Sequence, residues 1–133
     1  NRLKIKHKNM HVFLETEMLP AASQGAIGIE TCNATVPSGL SEVLTKINCQ
    51  DTFRATRVER DIVAALEGSC LSPISVLGKI IDQTLHLQVR VSNQDGSHVL
   101  ERDAIFSITE EVSALTQFKE ELIQSGAKEL IQT

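Results

Sequence analysis

The chain has 133 residues, a formal charge of −4 and 41% hydrophobic residues, enough for one compact domain burying roughly two thirds of its unfolded surface. Charged residues make up 23% and no apolar run approaches the roughly 18 residues of a bilayer span, so disorder and a transmembrane helix are excluded. With no Trp or Tyr, four Phe and net acidity, neither stacking platforms nor a phosphate-binding footprint is expected, and nucleic acid is a poor partner.

The opening Asn1 to Lys8 alternates Arg2, Lys4, Lys6 and Lys8 with Leu3, Ile5 and His7, the period of a solvated strand face. It lacks the apolar stretch of a secretory signal and fits a cut inside a longer chain. Met10 to Leu14 is too short to type by period, and Leu19-Pro20 stops any helix. Ala21 to Glu30 is apolar and rich in small residues, with Gly25 and Gly28 three apart. It suggests an extended segment open to close approach, though without a full G-x-G-x-x-G. After the Pro37-Ser38-Gly39 turn, Leu40, Val43, Leu44 and Ile47 share one face of a short amphipathic helix over 40–47.

Asp51 or Thr52 is a suitable cap for a second helix from Phe53 to about Leu66, with Arg54, Arg57, Glu59, Arg60 and Asp61 on a charged face. Gly68 is the expected left-handed residue after it. From Pro73 the period becomes two. Leu85, Leu87, Val89 and Val91 alternate with polar residues, Ile74–Ile81 precedes them across Asp82-Gln83, and Val99–Phe106 follows across a turn containing Asp95-Gly96, giving a three-stranded antiparallel meander. Thr109 is a suitable cap for a last helix whose Val112, Leu115, Phe118 and Leu122 face the sheet. Ser125-Gly126 ends it, and 127–132 is open between a closing strand and a helical turn. The fold class is α+β, a three-stranded antiparallel sheet with helices on one face.

Cys32, Cys49 and Cys70 are odd in number and widely spaced, which disfavours a disulfide framework and fits a reducing cytoplasm. His7 and His11 are four apart but lack a third ligand, so no metal site is assigned. His86 and His98 read as strand surface. Glu110-Glu111 and Glu120-Glu121 are adjacent, point apart on a helix and serve solubility, so no catalytic carboxylate is assigned. The loop Glu67-Gly68-Ser69-Cys70 offers an accessible thiol. Its place after a helix C-terminus disfavours a thiolate, and on physical grounds alone Cys70 reads as a buried structural cysteine.

Leu19-Pro20-Ala21-Ala22-Ser23-Gln24-Gly25-Ala26-Ile27-Gly28-Ile29-Glu30 resembles the LPAxGQGxxGIE segment of the porphobilinogen deaminase (hydroxymethylbilane synthase) family. Glu59-Arg60, Leu66-Glu67-Gly68-Ser69-Cys70 and Pro73-Ile74 resemble its ER…LEGGCxxPIG signature. Asp95-Gly96 and Ser125 to Leu130 fall where the family has DG and GAxEIL, so the likeness runs through the chain in order. It implies the C-terminal portion of a tetrapyrrole-biosynthesis transferase that joins four porphobilinogen units into hydroxymethylbilane with loss of ammonia. Growth is primed on a dipyrromethane cofactor held by a thioether to the cysteine of that loop, here Cys70, and a thiolate suits capture of the electrophilic methylene left when ammonia departs.

By the same resemblance, Gln24 and Gly25 lie along the cofactor cleft. Residues 1–48 are a remnant of the upstream α/β domains, the end of the second and the return to the first, and 49–133 form the cofactor-carrying domain. The acid/base aspartate and the carboxylate-binding arginines have no match here, so the fragment alone is expected to be inactive. Arg54, Arg57 and Arg60 read as surface or interdomain charge. The parent is expected to be a monomer, and residues 21–48 of the fragment, whose apolar face lacks its usual partners, to be disordered, folded back, or paired with another chain by self-association. Family glycines are replaced by Ser23, Ser69 and Ser75, and a left-handed position 69 would cost about 1–2 kcal/mol. The other reading is a non-catalytic α+β interaction module that binds through its sheet.

Overall fold

A computed structural model describes residues 8–32 and 37–132. In chain order the elements are helices α1 (Leu40–Ile47) and α2 (Gln50–Ala65), strands β1 (Ile74–Ile81), β2 (Thr84–Ser92) and β3 (Val99–Ser107), and helices α3 (Glu111–Gln124) and α4 (Ala127–Leu130). The strands form one antiparallel sheet in the order β1-β2-β3. The α+β meander and the bounds of α1 agree with the period of the sequence.

Period-two alternation sets the register. Leu85, Leu87, Val89 and Val91 are buried on one side of β2, with Val76 opposite Val89 on β1 and Ala104 opposite Leu87 on β3. Val58 and Ile62 of α2, and Leu115, Phe118 and Leu122 of α3, join the same core, which Ala127 of α4 closes. Both long helices therefore cover one face of the sheet. Each fully buried aliphatic side chain contributes about 1.5–3 kcal/mol.

The first hairpin turns through Asp82 and Gln83, both left-handed at φ 46° and 62°, the conformation of a type I′ turn that favours glycine. Replacing Gln83 by glycine is therefore expected to stabilise the fold by about 0.5–1 kcal/mol, read as a higher urea midpoint. A lower midpoint would show that the turn is not strained at this position. The second hairpin is closed by side chains: Ser97 N donates to Asp95 Oδ1 at 2.9 Å and His98 N to Asn93 Oδ1 at 2.9 Å, around Gly96 at φ 72°.

Several ends and faces differ from the sequence reading. Helix α2 begins at Gln50 with Cys49 in the N-cap position, not behind Asp51 or Thr52, because the Thr52 hydroxyl turns back to donate to Cys49 Sγ at 3.2 Å. Glu110 occupies the N-cap position of α3 without a side-chain bond. Thr109 instead pairs with the Ser107 hydroxyl at 2.8 Å. Val112 is 81% exposed because the first turn of α3 borders an open cleft with Gln83 and Lys119 and not the sheet. Residues 127–130 are helical, which decides between strand and helix.

The extended segment expected after Pro20 joins no strand among the described residues. It turns at Ala21–Gly25 and continues with Ile27 90% exposed. The apolar face of α1 is also uncovered, and no residue of that helix is buried. Met10 to Leu14 takes no regular secondary structure. Leu19 is buried, and Glu15 pairs with Lys79 of β1, which ties the leading segment to the sheet. The basic alternation over 1–8 falls, apart from Lys8, outside the described residues, as does His7 of the proposed histidine pair. His11 contacts Glu17 at 3.4 Å. Among the described residues no three candidate ligands gather for a metal, and no helix is long and apolar enough to cross a membrane.

Candidate functional site

The loop bearing Cys70 is rooted in the end of α2. Gly68 N donates to Val63 O at 2.9 Å and Glu67 N to Ala64 O at 3.0 Å, the two bonds of a Schellman cap. The left-handed residue of that cap is Glu67, at φ 55°, and not Gly68 as the sequence suggests. Position 68 is close-packed: a Cβ there would stand 2.5 Å from the movable tip of Ile74, Cδ1, and 3.3 Å from the backbone oxygen of Val63, so a larger residue would require Ile74 to shift. Glu67 also pairs with Lys128 of α4, so the Ser125 to Leu130 motif braces the loop.

Beyond Gly68 the chain closes a tight turn with Cys70 and Leu71 at its centre. Ser72 N donates to Ser69 O at 3.1 Å, Ser69 N to Ser72 Oγ at 2.9 Å, and Leu71 N to Ser69 Oγ at 3.2 Å. Ser92 N of β2 then bonds Pro73 O at 3.0 Å. The loop is fixed at both ends, and its tip presents Cys70 and the 84% exposed Leu71 between the two serines. Cys70 is exposed, which overturns the buried structural cysteine. Leu66 and Ile74 occupy the flanking core positions, and the turn between them bonds its Ser69, Leu71 and Ser72 N–H groups internally and carries the thiol outward. Ser69 is not left-handed, so the strain anticipated there is absent; of the three serines in place of family glycines, Ser23 carries it, at φ 62°.

Gln24 and Gly25 lie in an exposed turn in which Gln24 N donates to Ala21 O at 3.0 Å and Gly25 has φ 82°. That turn is held through its neighbour. Ser23 N donates to Glu59 Oε2 at 2.6 Å, Gly78 N of β1 donates to Glu59 Oε1 at 2.8 Å, and Ser23 Oγ donates to Thr56 O at 3.4 Å. Among the described residues Glu59 is the one charged residue that is buried, 5% exposed. Sequence reading placed it on the charged outer face; the signal for its burial is its position one residue after Val58 and three before Ile62, both core residues. Gln24 and Cys70 meet α2 at different levels, the first through Ser23 beside Thr56 and Glu59, the second beyond Leu66. A cleft of about 880 Å³ is lined by Ile27, Ile29, Leu44, Phe53, Arg57 and Arg60 among others, and none of Gln24, Gly25 and Cys70 is among its lining residues.

Arg57 and Arg60 are exposed, with Arg57 5.9 Å over the Phe53 ring, and Arg54 pairs with Glu111 at 3.3 Å; surface charge describes them. Sequence reasoning missed Cys49. Its thiol is held below the usual range, first by the Thr52 hydroxyl and then by the Thr52 and Asp51 backbone N–H groups, as expected of a sulfur at a helix N-terminus. Cysteine is an unusual N-cap, and the signal is Thr52 three residues on. Thr52→Val is expected to slow iodoacetamide labelling at Cys49, read peptide by peptide in a mass spectrometer, while leaving the rate at Cys70 unchanged. An unaltered rate at Cys49 would show that the hydroxyl does not favour its thiolate.

A thioether-bound group needs a sulfur in the open on a loop that does not swing, and the exposed Cys70 on its doubly anchored turn fits that requirement. The family model "Porphobilinogen deaminase, C-terminal domain" matches residues 53–130. The porphobilinogen deaminase of Alkaliphilus metalliredigens is 35% identical over 134 residues, covering 100% of this chain and 42% of the relative. That of Campylobacter lari is 35% identical over 115 residues, 86% of this chain and 36% of the relative. That of Campylobacter curvus is 32% identical over 133 residues, 98% of this chain and 42% of the relative. The chain spans about two fifths of the length of these relatives.

Proposed function

The chain belongs to the porphobilinogen deaminase family, and from that premise we propose that it is the C-terminal, cofactor-carrying part of a hydroxymethylbilane synthase. The whole enzyme would join four porphobilinogen molecules head to tail, release ammonia at each step and free hydroxymethylbilane. Cys70 would hold dipyrromethane through a thioether, with Gln24 and Gly25 along the cofactor. When bound, that group supplies the pyrrole on which the product is built. The observation that carries the reading is the exposed thiol of Cys70 at the centre of a turn whose ends are fixed by the α2 cap and by β2.

What these residues do follows from their chemistry. The Ser69 and Ser72 bonds keep the sulfur pointing away from the core, so a group attached there stands in solvent or in a cleft supplied by other parts of the enzyme. A thioether, unlike an ester, survives repeated turnover. The Gln24 side chain is exposed and offers both a donor and an acceptor. Residues 1–48 would complete the upstream domains and 49–133 the cofactor-carrying domain, a division supported by a core drawn from Val58 to Ala127.

The aspartate that moves protons and the arginines that bind the acetate and propionate groups have no counterpart here, so this chain alone is inactive. The uncovered row of Ile27, Ile29, Val43 and Ile47 would meet the upstream part in a monomeric parent, and the fragment alone would self-associate through 21–48. We assign it to the cytoplasm, with porphobilinogen and neither nucleic acid nor membrane as its partner. Peptide mapping of the full-length protein tests the reading: an adduct on Cys70 with the mass of two pyrrole units is expected. A free Cys70 thiol in a normally folded full-length protein would overturn it and favour the non-catalytic interaction module.

A further inference from the structure

Glu59 is a carboxylate more than nine-tenths buried that makes no ion pair among the described residues. Its two oxygens accept backbone N–H groups from two distant segments, Ser23 at 2.6 Å and Gly78 at 2.8 Å. Gly78 lies on β1, the edge strand, and its N–H points away from β2, so Glu59 occupies a position a further strand would otherwise take. Ser23 is held in a left-handed conformation that serine does not favour unaided. Hydrogen bonds from amides to an ionised carboxylate are about twice as strong as neutral ones, and burial removes the water that would compete. A charge placed there without partners would be expelled, so both bonds are required for the side chain to stay inside.

We infer that Glu59 is a positioning residue that fixes the Gln24–Gly25 turn against the unit carrying Cys70. One carboxylate spans the helix, the edge of the sheet and the incoming chain, so the turn cannot shift along α2 without giving up its Ser23 bond. The inference rests on the reading of Gln24 and Gly25 as residues of the cofactor cleft, whereas the clamp itself stands on geometry alone.

The test uses the present chain, with Glu59→Gln and Ser23→Gly. Glutamine keeps the size but turns one acceptor into an NH₂ donor facing an N–H, so one of the two bonds is lost; glycine relaxes the left-handed backbone and keeps the N–H. Amide exchange by NMR is expected to quicken about ten-fold or more in Glu59→Gln at whichever of Ser23 and Gly78 faces the NH₂ group, with weakening of the nuclear Overhauser contacts between Ser23 and Thr56, while the amides of Leu87 and Val89 keep their protection. Ser23→Gly is expected to retain protection at position 23. Unchanged exchange at both Ser23 and Gly78 in Glu59→Gln, or equal loss throughout β2, would overturn the inference, the second by making Glu59 a stability element only. If Glu59→Gln does not fold, Ser23→Gly decides: fast exchange at position 23 in that variant would show that the carboxylate does not hold the loop. A clamp seen here together with a free Cys70 in the full-length protein would sink the cofactor reading and leave this one standing.

Discussion

Cys70→Ser in the full-length enzyme is expected to leave the fold intact, to abolish the pyrrole adduct and to lower the rate of hydroxymethylbilane formation by about a thousand-fold or more. The argument separates chemistry from folding. Cys70 is exposed and belongs to no core cluster, so exchanging its sulfur for oxygen should alter stability by no more than about 0.5 kcal/mol. The turn is held by Ser69 and Ser72, which the substitution does not touch. A serine hydroxyl ionises far less readily than a thiol and is a poor nucleophile without an adjacent base; no such base is hydrogen-bonded at this turn among the described residues. Product formation within ten-fold of wild type, with the adduct absent, would show that the tether is not needed and would end the assignment of this site. An adduct on the serine would show instead that the position, and not the sulfur, is what the cofactor requires.

How far the fold could be read from the chain depended on which force shaped each part. The sheet was legible because Leu85, Leu87, Val89 and Val91 repeat at the strand period and Asp95-Gly96 supplies turn chemistry, and tertiary burial reinforces both. Helix ends were less legible. At Cys49 and Glu67 the backbone geometry is supplied by residues that rarely take those roles: Thr52 bonds the Cys49 sulfur, and the cap bonds from Glu67 and Gly68 back to Ala64 and Val63 place Glu67, and not the glycine beside it, in the left-handed position. The burial of Cys70 was misjudged because average burial by residue type ignores that the loop on either side already gives Leu66 and Ile74 to the core. The clamp at Glu59 was hidden for a related reason: a carboxylate in a run of charged residues reads as surface, and only the arrival of Ser23 and Gly78 from elsewhere in the chain gives it partners. Segment 21–30 carried the family motif legibly, yet its apolar residues have no strand partner among the described residues, so pattern alone suggested more structure than 21–30 takes.

Leu66→Ala is expected to cost about 2–5 kcal/mol of stability, a large share of the roughly 5–15 kcal/mol typical of a domain. Leu66 is fully buried in the cluster that also holds Ile62, Ile74 and Ala127, and truncation leaves a cavity that close-packed neighbours fill only in part. Val112→Ala is the control: it removes a side chain of the same class from an 81% exposed position and is expected to shift stability by less than about 0.5 kcal/mol. Urea unfolding distinguishes the two, with the midpoint falling for Leu66→Ala at an unchanged slope; equal midpoints for both variants would mean that the core is not where the structure puts it. The effect should also reach the site. Leu66 is the C-cap of α2 and the last core residue before the cysteine loop, so the cavity lies under the bonds from Gly68 to Val63 and from Glu67 to Ala64 that root that loop. Exchange at the Gly68 amide should therefore quicken by more than the drop in global stability alone predicts, because the loss of packing frees the cap locally before the sheet opens.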